Sequence, residues 1–333
     1  MPTPLTDFEK KKQFLLEHED FLLGGISHWF QLTHQQLTSF QTILNWDYIV
    51  CNPAIKWTSE IMDEFKDRVF IDELYPKINI NDSLPWSIEL IERYEDRWNW
   101  NLLGRNHRVM GNPEIRKHFH HRVSEHIKAY EKWSASPINY EMRSLDEVLE
   151  TQIKELGKHK ECLFRSAEEI DSIQDINWLH LSSNEFLPWS AELIEKYKQE
   201  WDWRLLSCNG SIPWSIELIK QFEDKIEWGS GMFDEYDDDD IYDLLFDIYC
   251  ISANPTIEWD AEIISTFRKK LHKPHISLSE CAKWDIDLLI QFADFWDYSF
   301  LARNDSMWQK VFPEFDSEEQ INELLDVVLE RRK

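Results

Sequence analysis

Asn184–Trp203 reads NEFLPWSAELIEKYKQEWDW, and Asn209–Trp228 reads NGSIPWSIELIKQFEDKIEW. The second stretch is an edited copy of the first, and Asn81–Trp100, NDSLPWSIELIERYEDRWNW, is a third copy. Looser copies are Asn52–Phe70 (NPAIKWTSEIMDEFKDRVF), Asn254–Leu271 (NPTIEWDAEIISTFRKKL) and Ser279–Trp296 (SECAKWDIDLLIQFADFW). Trp189 to Trp214 and Trp259 to Trp284 are each 25 residues, and Trp178, Trp203 and Trp228 keep the same interval. A fixed period of this length is the signature of a repeat architecture, in which each unit is too small to bury its own apolar face.

Within the copy at Asn184, Trp189, Leu193, Tyr197 and Trp201 recur every four residues, with Ile194 beside them. That spacing predicts a helix of about 13 residues whose opposite face carries Glu192, Glu195, Lys196, Lys198 and Gln199. Pro188 suits the first helical turn, where its missing N–H costs nothing. A second, shorter helix is expected to start at a cap on Asp202, bury Trp203 and Leu206, and stop at Ser207-Cys208-Asn209. At that stop Asn takes a left-handed conformation or caps the next turn through its side chain. Helices this short are marginal alone, so the prediction is all-α: a solenoid-like array of two-helix repeats with atypical ends and a helical insertion. The repeated tryptophans Trp57, Trp86, Trp189, Trp214, Trp259 and Trp284, with Trp100, Trp178, Trp203 and Trp228 at a second position, are then core rather than a ligand-facing row.

On this reading the chain divides into residues 1–43 (an amino-terminal helical cap), 44–106 (first repeat block) and 107–175 (a helical insertion or degenerate repeats). Residues 176–228 form a second block, 229–243 an acidic loop, 244–308 a third block and 309–333 a carboxy-terminal capping helix. In the cap, two helices are expected around Gly24-Gly25. At the other end, Ser317 and Gln320 form a capping box ahead of the stripe Ile321, Leu324, Leu325, Val328 and Leu329, so this helix is expected to close the opposite end of the array.

Composition narrows function by exclusion. The 333 residues hold 36 Lys plus Arg against 63 Asp plus Glu, a formal charge of -27. Gripping nucleic acid or an anionic membrane needs clustered positive charge, so neither is expected; a basic protein partner would be steered toward this chain. No window is long and apolar enough for a spanning helix, and MPTPLTDFEKKKQFLLEHEDFLLGG lacks the order of a signal peptide. The five dispersed cysteines form no CxxC pair, which with the rest points to the cytoplasm.

Candidate chemistry is sparse. Phosphate-cradling and nucleophile-elbow motifs are missing, and eight glycines leave little room for them. The recurring carboxylates Glu60, Glu89, Glu192, Glu217 and Glu262, with Asp287, are explained by the positive end of the helix dipole rather than by acid–base catalysis. His118 and His121 share a helical face and are the weak candidates for a transition-metal site, without HExxH or a facial triad in support. Asp234, Glu235 and Asp237, Asp238, Asp239 and Asp240 make an acidic run that reads as a solvated loop, with docking of a basic partner as its functional alternative. Catalytic residues and cofactors are not indicated.

These units are similar to a set of short tryptophan-rich repeat proteins whose repeat reads approximately N-x-x-[LI]-P-W-S-x-E-L-I-E-x-[YF]-x-D-x-W-[DN]-W, found in hypothetical bacterial and large-virus proteins. The resemblance is strongest at Asn81–Trp100 and Asn184–Trp228, looser at Asn52–Phe70 and Asn254–Asn304, and absent from His107–Gln174. No defined function travels with it. The expectation is therefore a non-enzymatic protein-binding or scaffold protein with an elongated acidic helical surface. The alternative is an acidic inhibitor, of immunity or anti-defence type, that covers the basic site of a nuclease or other nucleic-acid-binding protein.

Overall fold

The computed structural model describes residues 5–70, 77–123, 166, 170–171, 176–229, 250–315 and 317–333. Among these residues all regular structure is helical. In chain order the helices are α1 (Asp7–Glu17), α2 (Glu19–Trp29), α3 (His34–Phe40), α4 (Trp46–Ile49), α5 (Ser59–Glu64), α6 (Lys66–Val69), α7 (Ile88–Arg93), α8 (Trp100–Leu103), α9 (His107–Gly111) and α10 (Pro113–His118). They continue as α11 (Trp178–Ser182), α12 (Ala191–Lys196), α13 (Trp203–Cys208), α14 (Ile216–Gln221), α15 (Ala261–Phe267), α16 (Lys273–Leu278), α17 (Ile286–Gln291), α18 (Tyr298–Leu301), α19 (Asp305–Val311) and α20 (Glu318–Arg331). Single 3-10 turns occupy Lys77–Ile80 and Ile251–Ala253. The chain forms two compact bodies, residues 1–142 with 308–333, and residues 143–307.

The repeat unit differs from its expected form in three ways. Its first helix has six or seven residues, not about 13: α12 ends at Tyr197 (φ -117, ψ 27), and 197–200 pass through a turn. The bend carries the ring of Trp201 to 5.1 Å from both Trp189 and Trp178, contacts a straight helix could not make together. Nor is Pro188 in the first turn. The N-cap is Ser190, whose hydroxyl accepts from Leu193 N–H at 3.2 Å; Thr58, Ser87, Ser215, Asp260 and Asp285 do the same work in the other copies. A capping oxygen satisfies a helix-end amide, whereas proline only avoids carrying one. Finally, Asn209 is extended (φ -66, ψ 112) rather than left-handed, and its side chain does the capping.

That asparagine is the joint of the fold. Asn209 is buried, and its Nδ2 donates to the carbonyls of Ser182 (3.1 Å) and Asn184 (3.2 Å) in the preceding repeat, while its Oδ1 accepts from Ser211 N–H. In the same body Asn254 donates to Ser207 and Asn209, and Asn304 to Ser277 and Ser279. In the first body Asn52 donates to Ser27 and Phe30, Asn81 to Val50 and Asn106 to Asn79. A buried serine makes a second joint. The hydroxyls of Ser182, Ser207, Ser252 and Ser277 accept the backbone N–H of Asp202, Glu227, His272 and Asp297, the residues that open the next short helix or its equivalent. Buried amides and carbonyls left unpaired are costly, so the two residues set the register between successive repeats.

Of the repeated tryptophans Trp57, Trp189, Trp259 and Trp284 are buried, while Trp86, Trp214, Trp100, Trp178, Trp203 and Trp228 are half-buried, and those of the first position come in two settings. Where the residue twelve positions after the first Trp is also Trp, the rings pair: Trp86 with Trp98, Trp189 with Trp201 and Trp284 with Trp296, at 5.1–5.2 Å. The first ring then donates its Nε1 to the carbonyl five residues back, on Asn81, Asn184 or Ser279. Where that place holds Val69, Ile226 or Leu271, the buried indole N–H of Trp57, Trp214 or Trp259 meets no acceptor among the described residues. The aliphatic residue supplies no second ring to lean on the first and aim it. At the second tryptophan position each ring packs on the aromatic residue of the next first helix: Trp178 on Tyr197, Trp203 on Phe222, and Trp228 on Phe267.

The insertion after Trp228 interrupts a short helix without disturbing this joint. Ser182 and Ser207 donate their hydroxyls to Trp178 O and Trp203 O, four residues back. Ser252 makes the same bond to Trp228 O at 2.6 Å across 24 residues. Residues 230–249, lying between these partners, fall outside the described residues, as does most of 107–175.

Both chain ends lie in the first body, contrary to the expected opposite caps. Helix α20 carries the predicted buried stripe, with Ser317 as its N-cap, but packs against α2 and α3. Around it Lys11 pairs with Glu314 (2.8 Å), Lys12 with Glu323 (2.6 Å), Gln36 with Asn322 (2.8 Å) and Arg332 with Asp20 (2.7 Å). Phe8 stacks on Phe315 and Phe21 on Trp308. Gly24-Gly25 does not separate two helices; the break is at His18, and both glycines lie inside α2. Gly25 is there because the ring of Trp308 lies where a Cβ would stand, 1.9 Å from its nearest atom.

Candidate functional site

The aromatic rows pack ring on ring within and between repeats, and the exposed carboxylates outside them fall into two sets. One set is answered by basic or hydroxyl groups of a neighbouring repeat. Asp63 receives Arg93 and the Tyr94 hydroxyl, Glu64 receives His34 (2.6 Å), Glu92 receives His118 (2.7 Å) and Glu95 receives Arg122 (3.0 Å). In the second body Asp171 receives Lys196 and Tyr197, Glu223 receives Lys270 and Asp294 receives Arg268. These exposed pairs align neighbouring repeats and contribute little energy each.

The other set faces inward along its own helix. Glu60, Glu89, Glu192 and Glu217 are exposed and held below the ordinary carboxylate value, first by a bond from their own backbone amide and then by the hydroxyl of the N-cap Thr or Ser. The dipole role expected of this row is thus a hydrogen-bonded one, and it keeps these carboxylates ionised. All four are exposed, so each leaves a negative charge facing solvent beside its cap, with His34 and Arg93 near Glu60, His118 near Glu89 and Lys220 near Glu217 as weaker influences.

Of the proposed metal ligands, His118 gives its Nε2 to Glu92, and His121 is exposed. Among the described residues no group of three His, Cys, Asp or Glu side chains is arranged to hold a metal ion. The acidic residues Asp234, Glu235, Asp237, Asp238, Asp239 and Asp240 lie outside the described residues. Cys208 is held as a thiol: burial pushes its pKa up to about 11, and its Sγ lies 3.3 Å from Leu205 O. That is the opposite of the depressed value a nucleophilic cysteine needs.

One polar cluster was not foreseen. Cys250 and His275 are both buried, with Sγ 3.3 Å from Nδ1, and the Nδ1 of His272 lies 3.0 Å from the same nitrogen. The signal was present in the period, since Cys250 and His275 each stand four residues before the joint residue, Asn254 or Ser279, where Leu205 and Phe300 stand in other repeats.

The chain matches no family model, no curated protein and no solved structure. Among the described residues no helix is long and apolar enough to cross a membrane.

Proposed function

We propose that the chain is a non-enzymatic protein-binding scaffold, its two-helix repeats stacked as a solenoid-like array within each body and its capping carboxylates offered to a basic protein partner. The observation that supports this is the second carboxylate set. Glu192 and Glu217 recur at the repeat interval, are fixed at their helix starts by their own amides and cap hydroxyls, and are exposed, with Lys220 a weaker influence on Glu217. A preset row of charge loses little side-chain freedom on binding and steers a complementary surface toward it. The excess of 27 negative charges favours the same class of partner at longer range.

Affinity capture from native cells at low salt, repeated at high salt, tests the proposal. A stoichiometric basic partner released by salt is expected, and replacing Glu192, Glu217 and Glu262 together by Gln should weaken capture while leaving the melting curve close to wild type. Retention that ignores both salt and these substitutions overturns the reading. Should the captured protein be a nuclease that loses activity in the complex, the scaffold would be an inhibitor.

A further inference from the structure

The joint asparagines do the same work, but the residue that follows each of them differs. Pro53 follows Asn52, Asp82 follows Asn81, His107 follows Asn106, Gly210 follows Asn209, Pro255 follows Asn254 and Asp305 follows Asn304. Asn209-Gly210 is the single Asn-Gly pair of the whole sequence. Backbone geometry does not demand that glycine, since Gly210 is not at positive φ. An added Cβ would come no closer than 3.1 Å to the methyl of Thr256, an atom at the end of a side chain. The copy that begins at Asn184 carries Glu185 in the same place.

The pair matters because an asparagine side chain can react with its own backbone. The next residue's amide nitrogen, once it has given its proton to water, can attack Cγ. A new C–N bond then closes a five-membered succinimide, the bond from Cγ to Nδ2 breaks, and Nδ2 takes a proton from water and leaves as ammonia. Water adds to either imide carbonyl and opens the ring to aspartate or isoaspartate, with no change of oxidation state. A Cβ on the following residue crowds ring closure, and proline has no N–H to lose; glycine presents neither obstacle. Chemically, Asn209 is the least protected of the joints, and Asn52 and Asn254 are the most protected.

The closed joint blocks this reaction in three ways. Ring closure needs Cβ and the Gly210 nitrogen nearly eclipsed about the Cα–C bond, and at ψ 112 they point far apart. The Asn209 amide cannot turn without giving up its bonds to Ser182 O, Asn184 O and Ser211 N–H. It is also 5% exposed, which keeps bulk water from its Cγ. We propose that Asn209-Gly210 is a latent self-modification site, silent while the joint is closed and converted to aspartate or isoaspartate when it opens, with water as the co-reactant. The change runs one way. Either product lacks the Nδ2 donor and sets a carboxylate against two carbonyl oxygens. Isoaspartate also adds one carbon to the main chain, which moves Ser211 out of register.

Full-length protein aged with a thiol reductant in mildly alkaline buffer, either folded or in guanidinium chloride, and then digested with trypsin, tests this through peptide 205–220. In denaturant the peptide should gain the mass of an acid over an amide and split into aspartate and isoaspartate forms. Folded protein should convert slower by about tenfold or more, because only its open fraction reacts. Gly210→Glu should remain unconverted in denaturant. When aged, denatured wild type is diluted and the refolded and misfolded chains are separated by size, the converted peptide is expected in the misfolded pool. The folded-against-denatured comparison uses wild type alone, so it stands even where Gly210→Glu does not refold. Equal rates in the two states, no conversion in denaturant, conversion of Gly210→Glu at the wild-type rate, or converted chains that refold with an unchanged denaturation midpoint would each overturn the proposal.

Discussion

At the scale of single residues, the asparagine of the repeat matters more than its tryptophans do for how units are joined. A tryptophan can be buried in many orientations, as the two settings of Trp189 and Trp259 show. Asn209 has no such freedom, because its amide must donate to two carbonyls of the previous unit and accept one amide of its own. Asn209→Asp keeps the acceptor, loses the donor and places a carboxylate against two carbonyl oxygens. It should destabilise the second body by about 3 kcal/mol or more, and Asn209→Ala by about 2 kcal/mol, measured by urea denaturation. If the Asp variant is as stable as the Ala variant, the amide donor is not what joins the repeats. This role was half legible: the asparagine was seen to recur, and capping by its side chain was one of two readings. Its partners lie 25 and 27 residues away, beyond what local propensity reports.

Among the elements, α2 shows how a local rule is overruled by a distant contact. Two adjacent glycines usually mark a helix end, and here they lie mid-helix because the indole of Trp308, at the far end of the chain, occupies the space of a side chain at Gly25. Gly25→Ala should therefore lower stability by several kcal/mol, about 3 or more, despite alanine's better helix propensity. Combining it with Trp308→Leu, whose smaller side chain vacates that space, should cost less than the sum of the two changes, as a double-mutant cycle in thermal denaturation would reveal. Strict additivity would mean the two residues do not meet. The first helix of each repeat tells a similar story. Its apolar spacing was legible over the whole length of Trp189–Trp201, but the bend at Tyr197 was not, since helix and turn share the same four-residue spacing over one turn.

For the whole molecule, charge sets the response to acid. Two opposed effects act on a chain with 63 acidic residues: mutual repulsion, which protonation relieves, and the bonds that hold particular carboxylates ionised. Glu64 is kept below its ordinary value of 4.5 by His34 and then Thr38, Asp63 below 3.8 by Tyr94 and then Arg93, and the capping glutamates by their own amides. For groups so shifted, stability is present above the ordinary value and is lost as pH falls through the lower folded value. The denaturation midpoint should thus drop between pH ~5 and ~3; a rise over that range would show that relief of repulsion dominates.

The amino-acid sequence by itself determined that this chain is helical, that its segments recur at a fixed period and where a short helix such as α13 begins. Those follow from side-chain period and from capping chemistry, which act within a few residues. The tertiary structure decided that α20 lies on α2 and α3, that each long helical stripe bends after two turns, and that Cys250, His272 and His275 meet. Each of these depends on which surface is left to be covered once neighbouring repeats have packed, and burial of apolar area has no direction that a sequence can encode locally.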